Sequence, residues 1–180
     1  MFFVVLLGLL AACSEPGPAG SPSASSVSDA FKAAHPGGGL PPGLKRAGDA
    51  SRAAELLAAR VAGDRILLPG WLPPRYGLAA PYVSVGSGAA LPNPHVWKRG
   101  YRVSYTDGRG LIVLHVGQGR PPGQGAWREL ADRWHGNTVR VRSHDGVTTV
   151  ASRRDGRPVA VAVAGLPQDT ALRVLQSLGG

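Results

Sequence analysis

The chain has 180 residues, of which 43% are hydrophobic and 6% aromatic, and its formal net charge is +9. Its single cysteine excludes an internal disulfide and a zinc site built on cysteine ligands. Once an apolar leader and a low-complexity stretch are set aside, the remaining length suits one domain. The basic charge favours contact with an anionic surface, but it is scattered along the chain, as it also is on an ordinary solvated, arginine-rich surface.

The leader is an unbroken run of apolar or small residues from Phe2 to Ala12. It has about half of the ~20 residues that span a bilayer as a helix, so it predicts a signal peptide over residues 1–12. The run ends in Leu10-Ala11-Ala12-Cys13, which resembles the lipobox of bacterial lipoproteins. The resemblance implies cleavage before Cys13, a diacylglycerol on the Cys13 sulfur and an acylated new amino terminus, with palmitate among the acyl chains.

Two alternatives for Cys13 stay open: an ordinary thiol at the end of a short buried helix, and the end of a truncated membrane span. No Lys or Arg precedes the apolar run, unlike in most secretory signals, which leaves open a start upstream of Met1. Residues 13–48 are rich in Ser, Pro, Gly and Ala and hold too little apolar surface to offset the entropy of ordering. They are interpreted as a tether.

Residues 49–180 are predicted to form a single α+β domain. Asp49 should cap a first helix that ends at Gly63, and Pro167 to Leu178 should form a C-terminal helix. The predicted strands are residues 82–85, 96–106, 110–116, 138–142, 147–152 and 158–164. Because Asp-Gly turns join several of them, we expect a mainly antiparallel sheet of five to six strands packed with two to three helices.

Trp127, Leu130, Ala131 and Trp134 recur at helical spacing, which predicts a short third helix. Residues 111–116 and 159–164 are apolar on both faces and should be central strands covered on both sides. One helix should lie on the flat face formed by the alanines of residues 159–164. The opposite face, with its valines, is left to a second helix, the apolar connector at residues 67–77, a partner or a lipid-sized cavity.

The segment from Leu67 to Leu178 resembles a widespread bacterial domain of unknown function, found in stand-alone lipoproteins and at the extracytoplasmic end of anti-sigma factors. The likeness is carried by four stretches: "LPPRYG" from Leu72, "YRVSYTDGRGLIVLHV" from Tyr101, "GVTTVASRRDGRPVAVAVAG" from Gly146 and "TALRVLQSL" from Thr170. The chain has no cytoplasmic zinc-bearing anti-sigma segment. The resemblance therefore implies the stand-alone lipoprotein form rather than a direct sigma-factor role.

No catalytic, metal-binding or cofactor-binding residue is predicted. Gly86-Ser87-Gly88 lacks the spacing of a nucleophile elbow, and Gly117 to Gly125 lacks the Gly-Lys-Ser/Thr of a phosphate loop and is expected to be mobile. His115, His135 and His144 have no recognised ligand spacing. His115 is expected to be a satisfied core residue and His135 to lie at a helix end. The four tryptophans are interpreted as core anchors or, alternatively, as the walls of an apolar groove for an acyl chain or peptide.

These features together predict a lipoprotein anchored to a bacterial cell membrane on its extracytoplasmic side, or to an outer membrane where one exists. We expect a monomeric, non-catalytic binding, sensor or accessory module of the cell envelope, with the membrane, an envelope protein or a hydrophobic ligand as partner. Nucleic acid is disfavoured because the aromatic residues do not alternate with arginines on one strand face.

The alternative is a carrier of lipid or another hydrophobic ligand, in which Val159, Val161 and Val163 would line a cavity. A helix that closes this valine face would favour the binding module instead. An envelope hydrolase would require a cleft that gathers His with Asp and a hydroxyl group.

Overall fold

The computed structural model describes residues 46–58, 60, 61, 65–80, 82, 83 and 91–179. Cys13, the predicted signal peptide, nearly all of the predicted tether and Gly86-Ser87-Gly88 lie outside the described residues. No helix within the described part is long and apolar enough to cross a membrane.

The described residues form two helices and a set of antiparallel strands. The helices are α1 (Ser51–Ala58) and α2 (Gln168–Gln176). The strands are β1 (Arg46–Gly48), β2 (Leu68–Pro69), β3 (Gly77–Ala79), β4 (Tyr82–Val83), β5 (Leu91–Pro92), β6 (His95–Trp97), β7 (Gly100–Thr106), β8 (Leu111–Gly117), β9 (Arg128–Trp134), β10 (Asn137–His144), β11 (Val147–Arg154), β12 (Arg157–Ala164) and β13 (Leu178–Gly179).

The main sheet has nine strands in the order β1-β3-β7-β8-β12-β11-β10-β9, and β6 also pairs with β7. The predicted class, α+β with a mainly antiparallel sheet and a C-terminal helix, is confirmed, but the strand number of five to six was too low. Residues 96–106, predicted as one strand, form the two strands β6 and β7, and β4 lies within the predicted strand 82–85. The other short strands are not predicted, because two or three residues carry little periodicity. Strand β1 pairs with β3 although Arg46–Gly48 falls within the stretch interpreted as tether, so the sheet includes residues before Asp49.

Tight turns set the register of the long hairpins. Asp145-Gly146 joins β10 to β11, and Asp155-Gly156 joins β11 to β12, with φ values of +51°, +73°, +50° and +76° in chain order. Two consecutive residues with positive φ are what a two-residue hairpin loop of matching twist requires, and Asp-Gly meets this need at little steric cost. The Asp-Gly signals therefore located these hairpins correctly.

The helix predicted around Trp127 and Trp134 is wrong: this segment is the edge strand β9. His135-Gly136, with φ of +48° and +76°, forms another tight turn and returns the chain along β10. Within β9, Leu130 and Trp134 contribute to the core while the intervening charged side chains are exposed. Because every second residue of a strand shares a face, a short segment can satisfy helical and strand spacing at once, and here pairing with β10 decides.

Strands β8 and β12 are adjacent at the centre of the sheet, as their apolar faces predicted. We call the face that carries Val159, Val161 and Val163 the helix face, because α2 packs on it. The buried residues of α2 in this contact are Ala171, Val174 and Leu175. The expectation that a helix would cover the alanines is wrong. Most of the large apolar side chains of β7, β8 and β12 point to the helix face and form the main core there.

The opposite face, which carries Ala160, Ala162, Thr149 and His115, is called the loop face. Its apolar part is small and is covered by residues such as Ala79 and Val83. On the helix face, the Tyr101 hydroxyl accepts a hydrogen bond from the Leu67 amide at 2.6 Å and donates to the Leu67 carbonyl at 2.9 Å. This contact fixes the start of the apolar connector against the sheet.

Candidate functional site

A row of polar side chains crosses the loop face on neighbouring strands. In the pairing register, His95 of β6 lies opposite Arg102 of β7, and Arg102 lies opposite His115 of β8. The row continues through Ala160 of β12 to Ala151 of β11. Directly opposed residues on antiparallel strands share a face, with Cβ atoms about 4.5–5.5 Å apart. The fold therefore places one arginine between two histidines, beside a stretch of small residues.

His115 is buried but unsatisfied, which corrects the expectation of a satisfied core histidine. It is 3% exposed, and neither ring nitrogen makes a well-formed hydrogen bond within the described part of the chain, where the backbone of Gly117 offers only a weak contact. A buried donor or acceptor without a partner costs about 1–3 kcal/mol. The imidazole thus has hydrogen-bonding capacity that the described residues leave unused.

Trp97 covers this histidine. The ring centroids of Trp97 and His115 are 5.0 Å apart, with an interplanar angle of 40°. The ring centroid of His95, the other histidine of the row, is 5.8 Å from that of Trp97. The indole lies over Gly100, where a Cβ atom would come within 2.9 Å of the ring. Its Nε1–H donates to the Gln118 carbonyl at 2.7 Å. A glycine in β7 therefore lets the tryptophan reach across to the next strand.

Arg102 supplies the positive charge of the row. Its side chain is partly buried, and its Nε has no hydrogen-bond partner among the described residues. Burial lowers the pKa of the Arg102 guanidinium, though an arginine stays protonated at neutral pH. Burial and then the charge of Arg102 lower the pKa of His115 to about 4, and the weak contact with the Gly117 backbone opposes them only in part, so this imidazole is neutral at physiological pH.

The neutral state of His115 predicts a defined pH dependence of stability. Between pH 6.5 and pH 4 the unfolded chain binds a proton at His115 and the folded chain does not, so the free energy of unfolding falls as the pH drops and levels off below about pH 4. The loss attributable to His115 is roughly 3 kcal/mol. Urea unfolding of the wild type and His115→Gln, in buffers free of phosphate and carboxylate, measures it as a difference.

The matched control is His144→Gln, which removes an exposed histidine next to Asp145. His115→Gln should flatten the slope more than this control does. If His115→Gln kept the full slope, the pKa of His115 in the folded state would equal its value in the unfolded chain, and the lowered pKa would be wrong.

The glycine-rich loop between β8 and β9, expected to be mobile, is hydrogen-bonded to the sheet at two of its prolines. Arg142 donates to the Pro121 carbonyl at 2.9 Å and to the Pro122 carbonyl at 3.0 Å. The Thr149 hydroxyl donates to the same Pro122 carbonyl at 2.8 Å. Trp127, at the end of the loop, lies 4.4 Å from the Arg142 guanidinium. The loop therefore packs on the loop face next to the polar row.

The tryptophans divide between core and surface. Trp134 is buried, as expected of a core anchor, and Trp71, Trp97 and Trp127 are partly exposed. Arginines lie over three of the rings: Arg173 over Trp71 at 3.9 Å, Arg142 over Trp127 at 4.4 Å and Arg154 over Trp134 at 5.9 Å. Such cation–π contacts contribute about 0.5–1 kcal/mol each at exposed sites. They hold the arginine side chains in place without neutralising their charge.

The other histidines singled out in the sequence do not join His115. His135 lies in the β9–β10 turn rather than at a helix end, and its ring makes an edge contact with Trp134 at 4.9 Å. His144 Nε2 is 2.9 Å from a carboxylate oxygen of its neighbour Asp145, at the exposed end of a hairpin. Across the described ranges, no group of three or more His, Cys, Asp or Glu side chains is placed to hold a metal ion.

The pairing of Arg102 with His115 was missed, although the sequence contains a signal for it. Thr106 and Leu111 flank the turn of the β7–β8 hairpin, and Arg102 and His115 each lie four residues further from it. Counting outward from the Asp107-Gly108 turn would have placed them opposite each other. The contribution of Trp97 depends on Gly100 and the loop, which no local pattern reveals.

Comparisons with known proteins give a partial structural likeness. No family model matches the chain, and no curated protein matches it. Among solved structures, the chain is similar to the crystal structure of MucB in complex with MucA(peri), with a TM-score of 0.38 and 18% sequence identity. The match covers 64% of this chain and 36% of that chain, so this protein spans only about a third of the MucB chain.

Proposed function

We propose that the protein is a lipoprotein held through Cys13 on the extracytoplasmic side of a bacterial cell envelope, where its α+β domain binds a partner as a monomer and catalyses no reaction. No cofactor or metal is part of this proposal, and the partner is an envelope protein. The resemblance of Leu10 to Cys13 to a lipobox supports the anchor. A multi-chain lipid gives stable attachment where one acyl chain gives only marginal binding.

The observation that carries the binding function is the closed helix face. Val159, Val161 and Val163 are at most 1% exposed. Val174 and Leu175 of α2 are fully buried in the same core. An acyl chain seated along these valines would have to displace the C-terminal helix. This arrangement supports recognition at the outer surface and counts against the alternative of a carrier with a cavity at these valines.

The anchor is tested in a bacterium that processes lipoproteins, with the full chain expressed as wild type, Cys13→Ala and Ser14→Ala. Metabolic labelling with palmitate should mark the wild type and Ser14→Ala, which keeps the sulfur, and should fail with Cys13→Ala because the acceptor atom is gone. Mass spectrometry of the mature amino terminus should find a diacylglycerol on Cys13. Equal labelling of all three proteins would overturn the anchor.

The same preparations separate a binding module from a carrier. Cys13→Ala has no covalent lipid, so any lipid extracted from it is held non-covalently. We expect only substoichiometric lipid in the washed protein, since α2 fills the helix face. One bound acyl lipid per chain would overturn the binding module in favour of a carrier, whatever the result at Cys13.

A further inference from the structure

We propose that Arg102 and His115, covered by Trp97, form a binding site for an oxyanion: the carboxylate or phosphate group of a ligand. The inference goes beyond the proposed function and does not depend on the lipid anchor, because its residues lie within the sheet on β6, β7 and β8.

Arg102 and His115 have hydrogen-bonding capacity that is not used within the described residues. Both ring nitrogens of His115 and the Nε of Arg102 are shielded from solvent, and none of them makes a well-formed hydrogen bond to a described residue. The backbone of Gly117 gives His115 only a weak contact. These groups belong to neighbouring side chains on one face of one hairpin. Buried polar atoms in native structures nearly always have partners, so an adjacent group of unsatisfied atoms indicates a partner that the described residues do not provide.

The positive charge of Arg102 also favours an anionic ligand. In the parts of the chain that the structure describes, no carboxylate pairs with Arg102, and the nearest members of its row are His95 and His115. Glu129, a carboxylate that the register places on this face, lies at the far edge of the sheet opposite Arg140. A partly buried guanidinium without a counter-ion is costly, whereas an oxyanion would supply both the charge and the acceptors.

The shape and chemistry of the two donors, a guanidinium and a neutral imidazole, suit an oxyanion. A guanidinium is a planar fork that matches the two oxygens of a carboxylate or phosphate, and such paired hydrogen bonds are among the strongest in proteins. His115, neutral because its pKa is lowered to about 4, still carries one N–H that can donate to the anion. It thereby adds a hydrogen bond without a second buried positive charge.

The residues around His115 and Arg102 enclose the site on some sides and leave it open on another. A Cβ atom at Gly119 would lie 3.4 Å from the His115 ring and 3.6 Å from Trp97, so the loop backbone packs closely over both rings. The next residue in the row after His115 is Ala160, whose short side chain leaves the imidazole flanked by little bulk. Arg102 is only partly buried, which gives an anion a route to the guanidinium from solvent.

The experiment uses the full ¹⁵N-labelled chain in detergent micelles, titrated with inorganic phosphate and, separately, with acetate. Sodium chloride at equal ionic strength is the reference. We expect a saturable shift of the Arg102 Nε–H and His115 ring resonances with at least one of the two anions, and no such shift with chloride. The stronger anion identifies the site as one for phosphate or for carboxylate groups. The absence of a saturable shift with both would overturn the proposal.

Two variants test the assignment. Arg102→Gln should weaken the affinity at least roughly tenfold, as expected for the loss of a charge-assisted hydrogen bond. Arg109→Gln removes the same charge from the exposed turn of the hairpin and should leave the affinity nearly unchanged. Equal weakening in both would show a diffuse attraction to the basic surface and overturn the site. If Arg102→Gln does not fold, His115→Gln takes its place, and the wild-type titration decides in any case.

Discussion

Leu175→Asp is expected to unfold the domain. Leu175 is 0% exposed and belongs to the same core as the valines of β12. Truncating a buried leucine costs about 2–5 kcal/mol, and an unpaired charge left in the core costs about 3–5 kcal/mol more. The sum is comparable to the roughly 5–15 kcal/mol by which ordinary domains are stable. Far-UV circular dichroism at 25 °C should therefore show loss of the native spectrum.

The matched control is Gln176→Asp, which introduces the same carboxylate one residue later on an exposed position of α2. A negative charge near the end of a helix costs less than about 1 kcal/mol, so this variant should melt close to the wild type. A normal melting curve for Leu175→Asp would show that α2 is not docked on the sheet, and it would remove the main argument against a carrier.

The central fold could be predicted because its signals are local. Strands β8 and β12 are apolar on both faces, α2 has a clear apolar stripe, and Asp-Gly pairs mark two hairpins. Strand β9 could not be predicted, because its few apolar residues fit a helix as well as a strand, and the deciding interaction is its pairing with β10. Its neighbouring turn, His135-Gly136, is a weaker sequence signal than Asp-Gly.

The side on which α2 docks also depends on long-range packing. The flat alanine face of β12 would admit a helix, but the valine face continues into Tyr101, Val103 and Leu114 on neighbouring strands. Together these residues present a larger apolar surface, which a helix buries with greater gain in free energy. A single strand read alone does not contain that information.

The candidate site could be predicted only in part, because it is a property of register. The sequence shows that His115 lies in an apolar strand, but its lack of a partner becomes visible only when Arg102, Trp97 and the loop are placed around it. In the same way, the hydrogen bonds from Arg142 to the Pro121 and Pro122 carbonyls join residues about twenty positions apart, so no local pattern predicts them. Glycine and proline content alone does not reveal these contacts.

Gly117→Ala is expected to cause the second large effect, at the end of β8 next to the candidate site. Gly117 has a φ of +96°, and a Cβ atom there would overlap the carbonyl oxygen of Arg99 and lie 2.7 Å from the Cα of Gly100. Both obstacles are backbone atoms at the start of β7 and in the residue before it, and they cannot rotate away as a side chain could. Positive φ costs an alanine about 1–2 kcal/mol and the steric conflict about 1–3 kcal/mol more, so the free energy of unfolding should fall by roughly 2–5 kcal/mol.

Gly108→Ala separates the cost of a positive φ from the cost of the steric conflict. Gly108 has a similar φ of +90°, but nothing lies within 4 Å of its Cβ position. This variant should therefore lose only the roughly 1–2 kcal/mol of backbone strain in urea unfolding. Gln118, which follows Gly117, donates its amide to the Arg99 carbonyl and accepts a hydrogen bond from the Trp97 indole. Only Gly117→Ala should therefore also shift the ring resonances of Trp97 and His115. Equal losses in the two variants, with unchanged resonances, would show that the close approach of β7 and β8 at Gly117 does not position the candidate site.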